Sequence, residues 1–123
     1  AASSFISGNE LAKSVILNVN GDIVMAVLPA ARRLNFPQLK NYFETDEIVL
    51  ASESEFRNIF PECKTGAMPP FGNLYDIKTF VCKDFEGQKY IAFNAGNHLE
   101  LVRMKYSCYK HLVEPTPIEM TIE

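Results

Sequence analysis

Asn20-Gly21 stands between two apolar runs, Lys13 to Asn18 and Asp22 to Leu28, and this arrangement constrains the fold more than any other feature. Asn and Gly accept the positive φ angles of a tight hairpin turn, so the runs are expected to pair as antiparallel strands over about 13–18 and 22–28. Pro29 closes the second strand, since it has no N–H to donate to a continuing ladder.

The rest of the chain alternates short elements with turns. Asn35 caps a short helix with Leu39, Tyr42 and Phe43 on one face. Glu47 to Ala51 reads as a strand. Ser52-Glu53-Ser54-Glu55 has the capping-box pattern and opens a helix carrying Phe56, Ile59 and Phe60. Residues 61–75 break the periodicity with Pro61, Gly66, Pro69, Pro70 and Gly72, a composition that fixes a loop's backbone path. Strands are expected at about 76–82 and 89–94, joined through Glu86-Gly87. Gly96-Asn97 makes a further turn before a strand over about 99–104. A helix covers about 106–113, and Glu114-Pro115-Thr116-Pro117 opens a tail that reads as a linker. The sum is an α/β (mixed α+β) domain over 1–113, with hairpins, few helices and a 114–123 tail.

Length and composition set the outer limits. The chain has 123 residues, 47% apolar and 22% charged, which suits one globular domain with its own core. Its longest apolar runs, such as Ile23 to Leu28, are far shorter than the roughly 18 residues that span a bilayer. No secretory signal and no membrane partner are expected. The net charge of −3 lacks the basic footprint of a protein that wraps duplex DNA, while leaving room for a small contact with a nucleic-acid end. Cys63, Cys82 and Cys108 are odd in number and form no C-x-x-C pair, and only His98 and His111 could complete a metal site. A disulfide framework and a structural zinc are both poorly supported, and a reducing cytoplasm is the expected setting.

The chemistry legible without a family is thin. There is no nucleophile elbow, Walker loop, dinucleotide fingerprint or H-E-x-x-H, and the Ser, Cys and His spacing assembles no triad. Three places stand out. Lys13 alternates with Val15 and Leu17, so an inward face would set an ammonium at the rim of the core, seeking an anion. Equally, it is a strand-end lysine that snorkels to water, and pattern alone favours that reading about two to one. In Gly66-Ala67-Met68-Pro69-Pro70-Phe71-Gly72, the first three residues can offer N–H groups to a carbonyl or carboxylate, held in place by the prolines. A rigid surface connector fits that segment about as well, since long irregular loops are often functional but not always. His98 follows a Gly-Asn turn, where it can donate, accept or switch charge near neutral pH, although a histidine so placed more often only hydrogen-bonds the turn.

At these three places the sequence resembles the YbaK / prolyl-tRNA-synthetase-associated editing domains, which are aminoacyl-tRNA deacylases. Leu11-Ala12-Lys13-Ser14-Val15-Ile16-Leu17 looks like the family's lysine-bearing first strand. Ala26-Val27-Leu28-Pro29-Ala30 with Arg32-Arg33-Leu34 is similar to its second strand and exit, and Leu50-Ala51-Ser52-Glu53 to its step into a helix. The stretch from Phe60 to Gly72 resembles its G-x-x-x-P signature loop, and Phe93-Asn94-Ala95-Gly96-Asn97-His98 its histidine-bearing turn. The matches run in order from about Leu11 to Val113. With His98, they look most like the stand-alone branch that clears alanine attached by mistake to the tRNA for proline.

The resemblance implies ester hydrolysis with no protein nucleophile, metal or cofactor, on the aminoacylated acceptor end of tRNA. It assigns catalytic positions to Lys13, which holds the substrate's 3′ end, to Gly66 in the loop, and to His98, which helps fit the aminoacyl group. Ala67, Met68, Pro69, Pro70 and Gly96 become substrate-binding residues. The attacking water is activated largely by the substrate's own ribose hydroxyl. Fixed N–H groups aimed at an oxygen that gains charge are worth roughly 2.7–4 kcal/mol each in well-studied hydrolases. Selectivity needs a small pocket, since one methylene is worth only about 1–3 kcal/mol.

Two features depart from the family. Relatives usually carry a helix-bearing segment before the lysine strand, whereas about ten residues precede Lys13 here. Relatives often have an Asp-Glu pair where this chain has Cys82-Lys83-Asp84. Both bear on activity more than on fold, and they keep open a second expectation: a non-catalytic module of a larger regulatory protein that binds an aminoacyl or nucleotide ligand.

Overall fold

In the computed structural model, which describes residues 9–59, 68–95 and 100–122, strands β1 (Ala12–Val19) and β2 (Asp22–Pro29) pair antiparallel from Ala12↔Pro29 to Val19↔Asp22. Asn20 and Gly21 turn between them at φ values of 53° and 95°, the left-handed pair that an Asn-Gly hairpin favours. Asn18 reinforces the turn by accepting the Gly21 N–H on its side-chain oxygen at 2.8 Å.

The hairpin is the middle of a five-stranded sheet. β4 (Ile48–Leu50) adds antiparallel to β1, while β5 (Lys78–Cys82) and β8 (Thr116–Ile118) add parallel beyond β2, giving the order β4-β1-β2-β5-β8. A second ribbon, β6 (Tyr90–Asn94) with β7 (Leu101–Lys105), touches the start of β1 through a parallel bridge from Leu11 to Ala92. β3 (Arg33–Leu34) pairs with β9 (Thr121–Ile122).

Short helices follow between the strands. α1 (Phe36–Phe43) begins at Asn35, whose side-chain oxygen accepts the Gln38 N–H, and ends at Glu44 in the left-handed region. It seats the Phe43 ring edge-on to Phe80, with centroids 5.1 Å apart. α2 (Glu53–Ile59) is started by a capping box: Ser52 Oγ accepts the Glu55 N–H at 3.1 Å, and Glu55 Oε1 accepts the Ser52 N–H at 2.9 Å. α3 (Tyr106–Val113) turns Tyr106, Tyr109 and Val113 inward. Leu17, Met25, Val27, Leu28, Leu39, Val81, Ile91 and Met120 are fully enclosed at the centre.

The mixed α+β expectation holds, with two antiparallel and two parallel pairings in the main sheet. The expected linker does not: Thr116–Ile118 forms β8 on the edge of β5, and Thr121–Ile122 forms β9. Ile118 and Met120 are buried. Pro115 and Pro117 read as breakers, but a parallel edge strand needs few N–H donors and tolerates proline on its open side.

Candidate functional site

Lys13 sits in the second position of β1, directly across from Leu28, and is half-buried. Alternation places it with Val15 and Leu17 on one face of the strand, as expected. Its ammonium has no hydrogen-bond or ion-pair partner among the described residues. Two residues beyond the Leu11–Ala92 bridge, along both chains, stand Lys13 on β1 and Asn94 on β6. Beyond β6, the Ala95 N–H donates to the Glu100 carbonyl at 3.1 Å.

The far end of the Gly/Pro loop reaches the same end of β6 from the opposite face. Met68 and Pro70 are buried. Tyr109 Oη, on α3, donates to the Pro70 carbonyl at 2.7 Å. Burial pushes the Tyr109 phenol well above its ordinary value of 10, so the hydroxyl keeps its proton and remains a donor. Phe71 lies edge-on to Phe93 and to Tyr109, with centroids 5.4 and 5.6 Å away. Gly72 follows where a side chain has no room: an added Cβ would meet Thr79 Oγ1 and come within 2.7 Å of the Ile77 carbonyl oxygen. These three consecutive residues therefore fix the exit of the loop to α3, β6 and β5.

Of the residues singled out in the sequence, Lys13, Met68, Pro69 and Pro70 are thus located, and their elements meet at the end of β6. Gly66, Ala67, Gly96 and His98, and Cys63 with them, lie outside the described residues. Sequence reasoning passed over Tyr109, although the inward spacing of Tyr106, Tyr109 and Val113 on a short helix pointed to an anchoring face.

The Cys82-Lys83-Asp84 departure has a structural use. Cys82 Sγ accepts the Asp84 N–H at 3.4 Å, and Asp84 Oδ2 accepts from Thr121 Oγ1 at 2.7 Å and lies 3.8 Å from Arg32. The residues after β5 thereby tie down β9. Burial, ahead of the neighbouring Asp84 charge, raises the Cys82 thiol above its ordinary value, so it stays protonated and unreactive. No group of His, Cys, Asp and Glu able to hold a metal occurs among the described residues. A cavity of about 490 Å³ beside Asn73, Asp76, Lys78 and Glu114 opens at the other end of β5, away from Lys13.

Lys13, whose ammonium has no partner among the described residues, and the braced stretch from Met68 to Gly72 both stand toward the end of β6 in a small α+β domain. An ammonium beside fixed backbone dipoles can bind and orient an anionic group. The chain belongs to the aminoacyl-tRNA editing domain family, whose model matches residues 1–112. It is 37% identical over 62 residues to the proline–tRNA ligase of Staphylococcus saprophyticus, and 31% identical over 72 residues to that of Staphylococcus haemolyticus. Those alignments take in 50% and 58% of this chain but only 11% and 12% of the ligases. Among solved structures, a proposed trans-editing enzyme for prolyl-tRNA synthetase superposes with a TM-score of 0.87 at 15% identity, over all of this chain and 77% of the other. A proposed signal-transduction protein from Marinobacter aquaeolei gives 0.80 at 15% identity, over 96% of this chain and 26% of the other. These two likenesses speak to the fold. No helix among the described residues is long and apolar enough to cross a membrane.

Proposed function

We propose that the domain is an aminoacyl-tRNA deacylase, acting on the acceptor end of mischarged tRNA, with alanine on the tRNA for proline as the substrate to try first. The observation that carries this reading is the editing-family match over residues 1–112, in a chain that keeps Lys13 and the Gly66-to-Pro70 loop. In this reading Lys13 holds the phosphate or ribose of the 3′ end, the loop backbone at Gly66, Ala67 and Met68 grips the aminoacyl group, and Pro69 and Pro70 keep it from rearranging. His98, with Gly96 in its turn, fits the aminoacyl moiety. The water is activated by the substrate's ribose hydroxyl, so the protein supplies position and fixed dipoles, an effect of the size that oriented N–H donors provide. The proline–tRNA ligase relatives favour the tRNA for proline, and the setting that goes with tRNA substrates is the cytoplasm.

The test is loss of the ester from alanyl-tRNA for proline. Wild-type protein should cleave it, and Lys13→Ala should slow cleavage at least 100-fold while leaving the thermal melt within a few degrees. Absence of cleavage across several mischarged tRNAs at high protein concentration would defeat the reading. A second reading has one observation in its favour: the fold occurs as about a quarter of a much larger chain described as signal-transducing. There the domain would bind an aminoacyl or nucleotide ligand without turnover, and calorimetry that shows saturable binding with no hydrolysis would select it.

A further inference from the structure

The acidic charge of this protein is unevenly spread. Residues 89–110 hold Lys89, Arg103, Lys105 and Lys110 against Glu100 alone, a net of +3 in a chain whose total is −3, so the remainder carries −6. This stretch comprises β6, β7 and most of α3.

Strand pairing sorts these cations by face. Tyr90 pairs with Lys105, Ala92 with Arg103 and Asn94 with Leu101, so these side chains share one face of the ribbon. The other face carries Ile91 and Phe93 into the core. The Leu11–Ala92 bridge is parallel and in register, which puts Leu11, and with it Lys13, on the Arg103 and Lys105 side. Arg103 and Lys105 are exposed. The Arg103 guanidinium carbon stands 3.8 Å from the centre of the Tyr90 ring, and its nitrogens donate to Glu10 at 3.2 and 3.1 Å. Lys105 has no ion-pair partner among the described residues, whereas Lys110 is drawn to Glu86 at 3.4 Å. With strands about 4.8 Å apart and about 3.3 Å per residue, Lys13, Arg103 and Lys105 form a row roughly 16 Å long.

We infer that the β7 side of this face, where Arg103 and Lys105 are exposed beside the half-buried Tyr90 while Ala92 is enclosed, seats the phosphate backbone of a single-stranded RNA end on its way to Lys13. Single strands are bound by cations along the backbone path with aromatic or guanidinium planes for the bases, and this face offers both. Glu10 and Glu100 are the opposing charges there. Glu10 is already spent on Arg103, which leaves Lys105 as the strongest unshared charge. The inference rests on the proposed function for the identity of the strand, and its test does not depend on turnover.

The probe is an uncharged RNA minihelix with a single-stranded ACCA 3′ end, followed by fluorescence anisotropy against salt. Lys105→Glu should weaken binding at least 10-fold and lower the slope of log K against log salt by about 0.7 or more, the share of one phosphate contact on a single strand. Lys40→Glu, on α1 and the same change in net charge, should stay within about twofold of wild type. Equal binding by Lys105→Glu and wild type, an equal loss in both variants, or no binding by the wild type would overturn the inference. Hydrolysis of an aminoacyl-adenosine, which lacks the backbone, keeps the two ideas apart. Lys105→Glu should cleave it as wild type does, and failure of both to cleave it would count against the deacylase alone.

Discussion

Pro70 carries the argument at the scale of single residues. Its carbonyl would be buried and unmet without Tyr109, because the neighbouring prolines leave few local donors. Tyr109→Phe removes the hydroxyl and strands that oxygen, at a cost of about 1–3 kcal/mol. Denaturant unfolding should show this as a lower midpoint with an unchanged slope, and deacylation, if it depends on the loop, should lose KM before kcat. Gly72→Ala is the companion case: its new methyl group must push Thr79 or the Ile77 backbone, so about 1–3 kcal/mol of overpacking is expected, and a melt equal to wild type would refute the tightness of that seat. The place of Lys13 on β1 was readable from the apolar alternation around it, whereas the alternation alone favoured a plain strand-end lysine and only the family resemblance suggested a role. Tyr109 was not, because an aromatic on a helix face signals burial and says nothing about which distant carbonyl it will meet.

Local elements were the most legible part, and their physics is local too. The Asn20-Gly21 turn, the Asn35 cap and the Ser52–Glu55 capping box all depend on contacts within four residues, so the sequence alone specifies them. Glu55 makes the box responsive to pH. Its carboxylate accepts from the Ser52 N–H first, then from the Ser52 hydroxyl and the Asn18 amide, and these bonds hold its pKa below the ordinary glutamate value of 4.5. A depressed carboxyl stabilises the fold above that ordinary value and loses its contribution as the pH falls through the lower, folded one. The α2 cap should therefore loosen only below about pH 4.5, seen as faster amide exchange at the start of the helix. Glu55→Gln should abolish that acid dependence, and a variant that kept it would assign the effect to another group. Ser52→Ala should cost about 0.5–2 kcal/mol at any pH where the fold is intact.

The whole molecule is where local reading failed, and the failure has one cause: two parallel pairings join strands far apart in sequence. Val24–Val27 of β2 pairs with Lys78–Val81 of β5, and Phe80–Cys82 of β5 with Thr116–Ile118 of β8, so each register is set by long-range closure and leaves no turn signal. The 114–123 stretch looks like a linker because it is short and carries two prolines, yet it supplies the last strand of the sheet and two core side chains. Ile118 fills the β5 edge at 3% exposure, and Met120 is wholly enclosed while its carbonyl accepts the Asn35 N–H at 2.7 Å. That last bond joins the tail to the cap of α1, and the Thr121–Asp84 bond joins it to the residues after β5. Met120→Ala should then cost about 2–5 kcal/mol, a large fraction of the 5–15 kcal/mol that holds a domain of this kind folded. A chain ended at Val113 loses both side chains, both strand pairings and the brace on α1 together, and should show no cooperative melt by circular dichroism. Were it to melt cooperatively within a few degrees of the full chain, β8 and β9 would be an appendage, and the sheet would end at β5.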